Sequence, residues 1–453
     1  MTVVEIWNRF RWIFCQLEIL RQCFPPSVRR FLEELPESLD ETYERMLTEI
    51  KKPNRDHARR LLQCLVVAIR PLRVEELAEV LAVDFNDVGG VPKLKPDWRW
   101  EDQEQALLIS CSSLITIVDT GDSRVVQFSH FSVKEFLTSE RLATSSQDVS
   151  RYHIALNPAH TILAQACMSA LLQVHDYDEH DDLKKNAPLA LYAAEYWVRH
   201  AQFEDVASQI KGMEYLFDED KPYFAVWRKL YNIDNDLRDS VIYAFASRES
   251  AGHGTPLYYA ALCGFRDIVE QLIVKHPNDV RAIGGHYMTP AVAALAGRYF
   301  ELAQVLSRKG SSLNPRGMYG SSPLHSAVYH MDLELVQVLV NYGADVNGQG
   351  ENGDTPLSYG LWGSPTRPTN PRVIRWLLNH GADPNVRNKI GKTSLHLALG
   401  FGRIEIARIL IEHGASVKVK DRWGRTPLDY VSGEQRDELI KLHHAKQENC
   451  CIM

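Results

Sequence analysis

The stretch Asn388–Leu399, NKIGKTSLHLAL, decides the fold of the C-terminal half. Its Gly391-Lys392-Thr393 ends like a phosphate-binding P-loop, which requires the pattern Gly-x-x-x-x-Gly-Lys-Ser/Thr. The position five residues before Gly391 is Val386, and the intervening residues are polar rather than the end of a buried strand. Without the first glycine, the backbone does not curl its N–H groups around one anion. The stretch therefore does not predict a nucleotide site.

The same segment recurs along the chain at a nearly constant spacing. A second marker, GADVN or a variant of it, keeps the same register. Two independent markers in one register indicate an internal repeat of about 33 residues. The related hexapeptides begin at Thr255, Thr289, Ser322, Thr355, Thr393 and Thr426, with steps of 34, 33, 33, 38 and 33 residues, and the second marker begins at Gly310, Gly343, Gly381 and Gly414.

These residues resemble the ankyrin repeat. In each hexapeptide the Thr or Ser suits a helix N-cap, and the Pro suits the first turn. A second helix follows, as in DLELVQVLV, where Leu333, Val336, Leu339 and Val340 form one apolar stripe. Glycine then ends this helix in a left-handed conformation. Thr393 is accordingly predicted to be a helix cap and not a magnesium ligand.

Six repeats are predicted over residues 251–447, with degraded capping units at both ends and an enlarged loop in the fourth repeat near LWGSPTRPTN. Such a stack offers a concave face of hairpin tips and first helices, where exposed aromatic and arginine side chains are typical interface anchors. For Trp362 especially, packing under a loop is the alternative. The predicted protein-binding positions are Met318, Tyr319, Glu351, Asn352, Lys389, Ile390, Arg422 and Trp423 at hairpin tips, and Tyr329, His330 and Trp362 near the ends of first helices.

The N-terminal half predicts helices and one hairpin. Residues 1–54 predict a helical segment, 55–140 a winged-helix-like domain and 141–250 a helical linker domain. The hairpin is expected from QALLISCSSLITIVDT and RVVQFSH, which flank a Gly-Asp turn. In RVEELAEVLA, Arg73 is outnumbered by Glu75, Glu76 and Glu79, and DNA phosphates would repel an acidic helix. DNA recognition is therefore not predicted.

Three N-terminal segments carry a further resemblance: RWIFCQLEILRQCFPPSVRRFLEELPESLDETYERML, RPLRVEELAEVLAV and VVQFSHFSVKEFLTS. They resemble the segment that follows the nucleotide-binding NACHT domain in fungal NACHT–ankyrin proteins, which are signal-transducing ATPases related to immune receptors. The resemblance covers most of residues 1–250, and the ankyrin repeats complete it. No run in the sequence matches a P-loop or its acidic magnesium partner, so we expect the chain to start just after the position of the NTPase domain.

The resemblance also implies a role for one histidine. In related receptors, the pattern Phe-x-His-x-Ser-x-x-Glu-Phe places a histidine against bound ADP. Here the pattern runs from Phe128 to Phe136, and His130 maps to the sensing position. An imidazole N–H can donate a hydrogen bond to a phosphate. The alternative, which this chain alone favours, is a structural histidine between two buried phenylalanines.

Composition limits the remaining possibilities. The chain has 453 residues and a formal net charge of -7, which gives no electrostatic reason to expect nucleic acid. Eight scattered cysteines without Cys-x-x-Cys spacing suit buried thiols in a reducing, cytoplasmic location. No apolar run reaches the roughly 20 residues that span a bilayer. The acidic stretch HDYDEHDDLKK lacks calcium-hand spacing and predicts a solvated loop, so no metal and no cofactor are expected.

The sequence ends in Cys450-Cys451-Ile452-Met453, which fits the Cys-a-a-X pattern for farnesylation of Cys450 in a flexible tail over residues 448–453. A single lipid with little basic support gives at most weak, reversible membrane attachment. The alternative is a frayed tail with two exposed thiols.

The sequence as a whole predicts a mainly α protein, with a winged-helix and helical half followed by an ankyrin solenoid. The predicted function is non-catalytic protein–protein interaction. The alternative is a regulatory fragment that acts with a separate NACHT-type NTPase and uses His130 as an ADP contact. No nucleophile–base pair, metal ligand set or carboxylate pair in a plausible cleft indicates an enzyme.

Overall fold

The computed structural model describes residues 38–85, 90–111, 114–121, 123–174, 183, 186–235, 254–317, 320–363 and 369–450, with side chains up to residue 445. The protein divides into two compact units between Tyr231 and Asn232. Helices dominate both units, so the predicted mainly α fold is confirmed.

The described part of the first unit contains eleven α-helices and five short strands. The helices are α1 (Leu39–Thr48), α2 (Arg55–Val67), α3 (Val74–Leu81), α4 (Gln103–Cys111), α5 (Phe131–Leu137), α6 (Glu140–Ala143), α7 (Gln147–Ser150), α8 (Leu156–Leu171), α9 (Leu189–Ala201), α10 (Met213–Leu216) and α11 (Tyr223–Leu230). The strands are β1 (Leu72–Arg73), β2 (Val83–Asp84), β3 (Lys93–Leu94), β4 (Ile115–Asp119) and β5 (Arg124–Phe128).

The predicted winged helix is present. Strands β1, β5 and β4 form an antiparallel sheet in that order; helices α2 and α3 pack against it, and α4 packs against both helices. The wing is the β4–β5 hairpin, in which Asp119 pairs with Arg124 and Gly121 takes a φ of 87° at the turn. Strands β2 and β3 form a separate two-stranded sheet after α3.

One part of the hairpin prediction was wrong. The segment QALLISC is the helix α4, and the first hairpin strand starts only at Ile115. Ala106, Leu107 and Ser110 are buried at helical spacing, whereas the β-branched residues that favour a strand begin later. A short apolar run does not distinguish the two structures by its pattern alone.

Aromatic packing orders the end of the first unit. Helix α8 lies against α2 and α9, and Trp197 on α9 is fully buried. Its ring meets Trp227 edge-on with 5.5 Å between centroids, and Phe217 packs against both rings. The Trp227 indole N–H donates to the carbonyl of Ala194 at 3.0 Å, which satisfies its one polar group.

The described part of the second unit is a series of six helical pairs. The helices are α12 (Pro256–Cys263) and α13 (Arg266–Lys275), α14 (Pro290–Ala296) and α15 (Phe300–Arg308), α16 (Pro323–Tyr329) and α17 (Leu333–Asn341), α18 (Pro356–Tyr359) and α19 (Pro371–Asn379), α20 (Ser394–Gly400) and α21 (Ile404–Glu412), and a 3-10 helix (Pro427–Tyr430) with α22 (Glu434–Cys450). The residues added to the fourth pair fall between α18 and α19.

The predicted caps explain where these helices begin and end. Thr393 is the N-cap of α20, and its side chain and N–H both contact Nδ1 of His396, at 2.9 and 3.1 Å. Thr255 caps α12 through the N–H of Tyr258. The marker glycines after the second helices have positive φ, for example 95° at Gly343. The segment that ends like a P-loop is therefore a hairpin followed by a helix cap.

The described cysteines, Cys64, Cys111, Cys167 and Cys263, are buried free thiols. Burial raises the pKa of Cys64 to about 12, so this thiol is inert. In the part of the chain that the structure describes, no helix combines the length and the apolarity needed to cross a membrane.

Candidate functional site: the hairpin tips of the second unit

The hairpin tips are shaped by one side chain in each turn. The Oδ1 atom of Asn388 accepts the N–H groups of Ile390 and Lys392, at 3.2 and 2.9 Å. One repeat later, Oδ1 of Asp421 accepts those of Trp423 and Arg425, both at 2.9 Å. Asn and Asp favour such turns because their short side chains reach the backbone two residues on. Each turn fixes the two residues that follow as its tip.

Neighbouring tips are joined through their backbones. The N–H of Lys389 donates to the carbonyl of Asn352, and that of Arg422 donates to the carbonyl of Ile390, both at 2.9 Å. A Cβ added to Gly353 would stand 2.9 Å from the Lys389 nitrogen. The φ of 77° at Gly353 also favours glycine. The fourth, fifth and sixth tips therefore form one backbone-linked row.

Most of the predicted tip residues face solvent. Glu351, Asn352, Lys389 and Arg422 are exposed, and Trp423 is 58% exposed. A tryptophan with this exposure is a ready anchor for a partner. Ile390 is half-buried, and Met318 and Tyr319 lie outside the described residues. Whether these positions contact a partner stays a prediction.

The predicted residues near the ends of first helices are more enclosed. Tyr329 is half-buried and lies 5.7 Å from the Tyr359 ring, whereas His330 is exposed. Trp362 is half-buried and meets the Phe401 ring edge-on at 6.0 Å. Trp362 therefore packs against the next repeat, and its contact with a partner stays a prediction.

Sequence reasoning missed a set of basic residues on the same hairpins. Lys389 and Arg422 were predicted, but each has basic neighbours that recur at the same repeat step. The missed signal was this step itself, because the three pairs are each 33 residues apart. The pairs are Arg387 and Lys420, Lys389 and Arg422, and Lys392 and Arg425.

Cations and aromatic rings alternate at the last tip. The Arg425 guanidinium lies 5.0 Å from the Trp423 ring centroid and 4.9 Å from that of Tyr430. The Lys392 ammonium lies 5.0 Å from the Tyr430 ring and 5.9 Å from that of Trp423. These distances are within the range of cation–π attraction, which holds the long side chains beside the rings.

Asp421 organises this cluster from beneath. Its side chain has no exposed surface and accepts from the Tyr430 hydroxyl at 2.9 Å and from Arg425 Nε at 3.3 Å. Burial alone would raise the pKa of Asp421. The hydrogen bonds from Arg425, Tyr430 and Trp423 outweigh that effect and lower the pKa. The Asp421 carboxylate is therefore ionised, and its oxygens accept hydrogen bonds from groups of the protein itself.

Two histidines of the repeat are structural. Nδ1 of His325 accepts the N–H of Ser322 at 3.0 Å, and its Nε2 lies 3.0 Å from the carbonyl oxygen of Asp354 in the next repeat. His396 repeats the arrangement towards the carbonyl of Arg425 at 3.2 Å. Burial lowers the pKa of His325 to about 4, so the ring is neutral at pH 7.

His130 of the first unit lies at the N-cap of α5. Its Nδ1 accepts the N–H of Ser132 at 3.2 Å and contacts the Ser132 hydroxyl at 2.6 Å. That hydroxyl also meets the Tyr43 hydroxyl at 2.8 Å. The expected pair of buried phenylalanines is absent, because Phe131 is 61% exposed and Phe128 is only half-buried. The ring is held by the Ser132–Tyr43 contacts and by the exposed Phe131 ring, whose centroid lies 4.1 Å from its own.

The acidic residues of α3 do not form a charged surface. Glu76 accepts two hydrogen bonds from Arg70, both at 2.7 Å, and is 1% exposed. Glu79 is equally buried against Arg99. The sequence argument that α3 would repel DNA phosphates was therefore wrong for two of its three carboxylates, since both are neutralised inside the unit.

Two further predictions lie largely outside the described residues. Only Leu183 of HDYDEHDDLKK is described, and nothing is described of the Cys450 side chain or of the three residues after it. Within the described part of the chain, no group of three or more His, Cys, Asp or Glu residues could hold a metal ion. Farnesylation of Cys450 stays a prediction.

Comparison with known proteins agrees with this architecture. The family model described as "GPI inositol-deacylase, winged helix domain" matches residues 43–147, and that for ankyrin repeats in three copies matches residues 291–388 and 366–448. A fungal protein described as "Azaphilone pigments biosynthesis cluster protein L", from Monascus ruber, is 34% identical over 288 residues, which are 60% of this chain. The chain spans 59% of the length of that relative. The expected order, a NACHT-associated winged helix followed by ankyrin repeats, is confirmed.

Proposed function

We propose that this chain, a NACHT-associated winged helix followed by ankyrin repeats, is a non-catalytic scaffold that binds a protein partner through its hairpin tips. The row of exposed tips that runs from Glu351 to Trp423 carries the proposal. Inter-repeat hydrogen bonds fix its backbone, so the backbone needs little ordering when a partner binds. Trp423 is the side chain best suited to act as its anchor.

Partner capture by the immobilised full chain tests the proposal. Extract proteins retained by the unmodified chain would be compared with those retained by Trp423→Ala. We expect binding of a specific partner to be lost or weakened at least about tenfold, as when an anchor residue of an interface is truncated. Arg308→Ala, at the end of α15 and outside the row of tips, is the matched control. A set of retained proteins that is identical for all three chains would contradict the proposal.

The contacts of His130 favour a second candidate, a regulatory segment that senses nucleotide together with a NACHT-type NTPase domain. Because Nδ1 accepts from Ser132, the proton of the neutral ring sits on Nε2, where it could donate to a phosphate. The Ser132–Tyr43 contact would keep the ring in this orientation. The match of the winged helix to a NACHT-associated type supports the same candidate.

This candidate predicts that the full chain tightens ADP binding by a NACHT NTPase domain added in trans. Loss of one hydrogen bond to a charged phosphate in His130→Ala should weaken that effect roughly tenfold. Leu156→Ala, an exposed apolar side chain at the start of α8, is the control and should leave the effect intact. If His130→Ala has no effect on ADP affinity, the sensing role fails.

A further inference from the structure

The hairpins of the fifth and sixth repeats carry two parallel rows of basic side chains. We name this set the basic ledge, and all its members are exposed except Lys392, which is half-buried. The chain as a whole has a formal net charge of -7, so the ledge is a local reversal of sign. Its members are Arg387, Lys389, Lys392, Lys420, Arg422 and Arg425.

The charges of the ledge are hardly compensated by the protein. Among the described residues, Arg425 is its one member within ion-pair distance of a carboxylate, and that carboxylate, Asp421, is buried beneath the ledge. Arg387 donates instead to the backbone carbonyls of Lys420, at 3.0 Å, and Gly391, at 3.4 Å. Like charges brought together in this way repel one another, and an anionic partner would relieve the repulsion.

An apolar surface stands beside these cations. The Trp423 ring is 58% exposed and lies next to Lys392 and Arg425. An aromatic plate within a basic row suits a ligand that alternates anionic groups with an apolar group. A single exposed ring is a poor platform for nucleic acid, whose successive bases each need an aromatic face.

We propose that the basic ledge binds an acidic, extended segment of a partner protein, with one apolar residue of that segment on Trp423. The proposal rests on the scaffold function above and specifies the chemistry of its partner. The negative charge of the chain elsewhere opposes a long polyanion, because a nucleic acid extends beyond the ledge. A short acidic segment presents its carboxylates to the ledge alone.

Fluorescence anisotropy with the full chain tests this assignment. The probe is a fluorescein-labelled peptide of glutamates around one central leucine, and its control replaces every glutamate by glutamine. We expect the glutamate peptide to bind and to weaken as salt is raised, because exposed charges are screened. Lys389→Glu with Arg422→Glu should weaken binding of the glutamate peptide at least about tenfold. A second glutamate peptide carries glycine in place of the central leucine. The unmodified chain should prefer the leucine peptide, and Trp423→Ala should abolish this preference.

Arg308→Glu with Lys309→Glu is the matched control, because it changes the net charge equally but lies at the end of α15. It should alter binding by less than about twofold. Equal effects of both double variants would mean that only total charge matters, and would overturn the proposal. So would tighter binding of oligothymidine that is lost in the ledge variant, because the ledge would then select nucleic acid.

The outcomes separate this inference from the scaffold proposal. If the glutamate and glutamine peptides bind alike while partner capture still depends on Trp423, the acidic chemistry is refuted and the scaffold function stands. If capture from extracts is identical for every tip variant, the scaffold function fails whichever peptide binds. Circular dichroism of each variant, with an unchanged melting temperature, ensures that a loss of binding is not a loss of fold.

Discussion

The ion pair between Glu79 and Arg99 places a glutamate side chain with no exposed surface against an arginine side chain that is 26% exposed. Two hydrogen bonds join them, at 3.0 and 2.5 Å. Burial raises the pKa of Glu79, and Arg99 acts in the opposite direction. Removing Arg99 would leave a buried carboxylate without its cation. We expect Arg99→Ala to lower the free energy of unfolding by about 3 kcal/mol, measured by urea denaturation.

An exposed pair of the same unit supplies the control. Arg124 and Glu104 form an ion pair with half of the arginine side chain in solvent, so Arg124→Ala should cost no more than about 1 kcal/mol. Adding Glu79→Gln to Arg99→Ala removes the buried charge and should recover part of the loss. Equal costs for Arg99→Ala and Arg124→Ala would show that burial of Glu79 does not set the energy of its pair.

At the scale of single elements, helix starts were predictable because their causes are local. The cap at Thr393 needs only residues within one turn, and the sequence displays them all. Helix α4 was not predicted, because its short apolar run fits a strand or a helix until its packing is known. The exposure of Phe131 was missed for the same reason, since burial depends on what else packs nearby.

Contacts between neighbouring repeats were also missed, although their signal is periodic. The Asn347 side chain donates to the carbonyl of Gly381 at 2.8 Å and accepts the N–H of Asp383 at 2.8 Å. Asn385 makes the same pair of contacts with Gly414 and Ser416. Each asparagine closes the GADVN marker, whose recurrence was visible. The contacts of the asparagine were not predictable from the marker, because the residues that it contacts lie about one repeat away in sequence.

At the scale of the whole molecule, each unit contains a histidine that folding keeps neutral. In the second unit, His325 has its pKa lowered to about 4 by burial. In the first unit, burial and the neighbouring His160 lower the pKa of His200 to about 3. The ring of His200 lies between His160 Nδ1 and the Tyr192 hydroxyl, each at 2.9 Å. Protonation of either ring would place a charge in a site built for a neutral group.

The direction of the pH effect follows from proton counting. An unfolded histidine binds its proton near pH 6.5, whereas folded His325 does so only near pH 4, so the unfolded state holds more protons between these values. The contribution of His325 to the free energy of unfolding is therefore fully present above about pH 6.5. It falls as the pH decreases towards 4, by about 3 kcal/mol in total. In urea denaturation of the full chain at several pH values, His325→Gln should lower stability at pH 7.5 and flatten its decline between pH 6.5 and 4.5. If the free energy of unfolding of His325→Gln declines with pH as steeply as that of the unmodified chain, other groups cause the acid sensitivity. His200 would be the next residue to replace, because its folded pKa lies lower still.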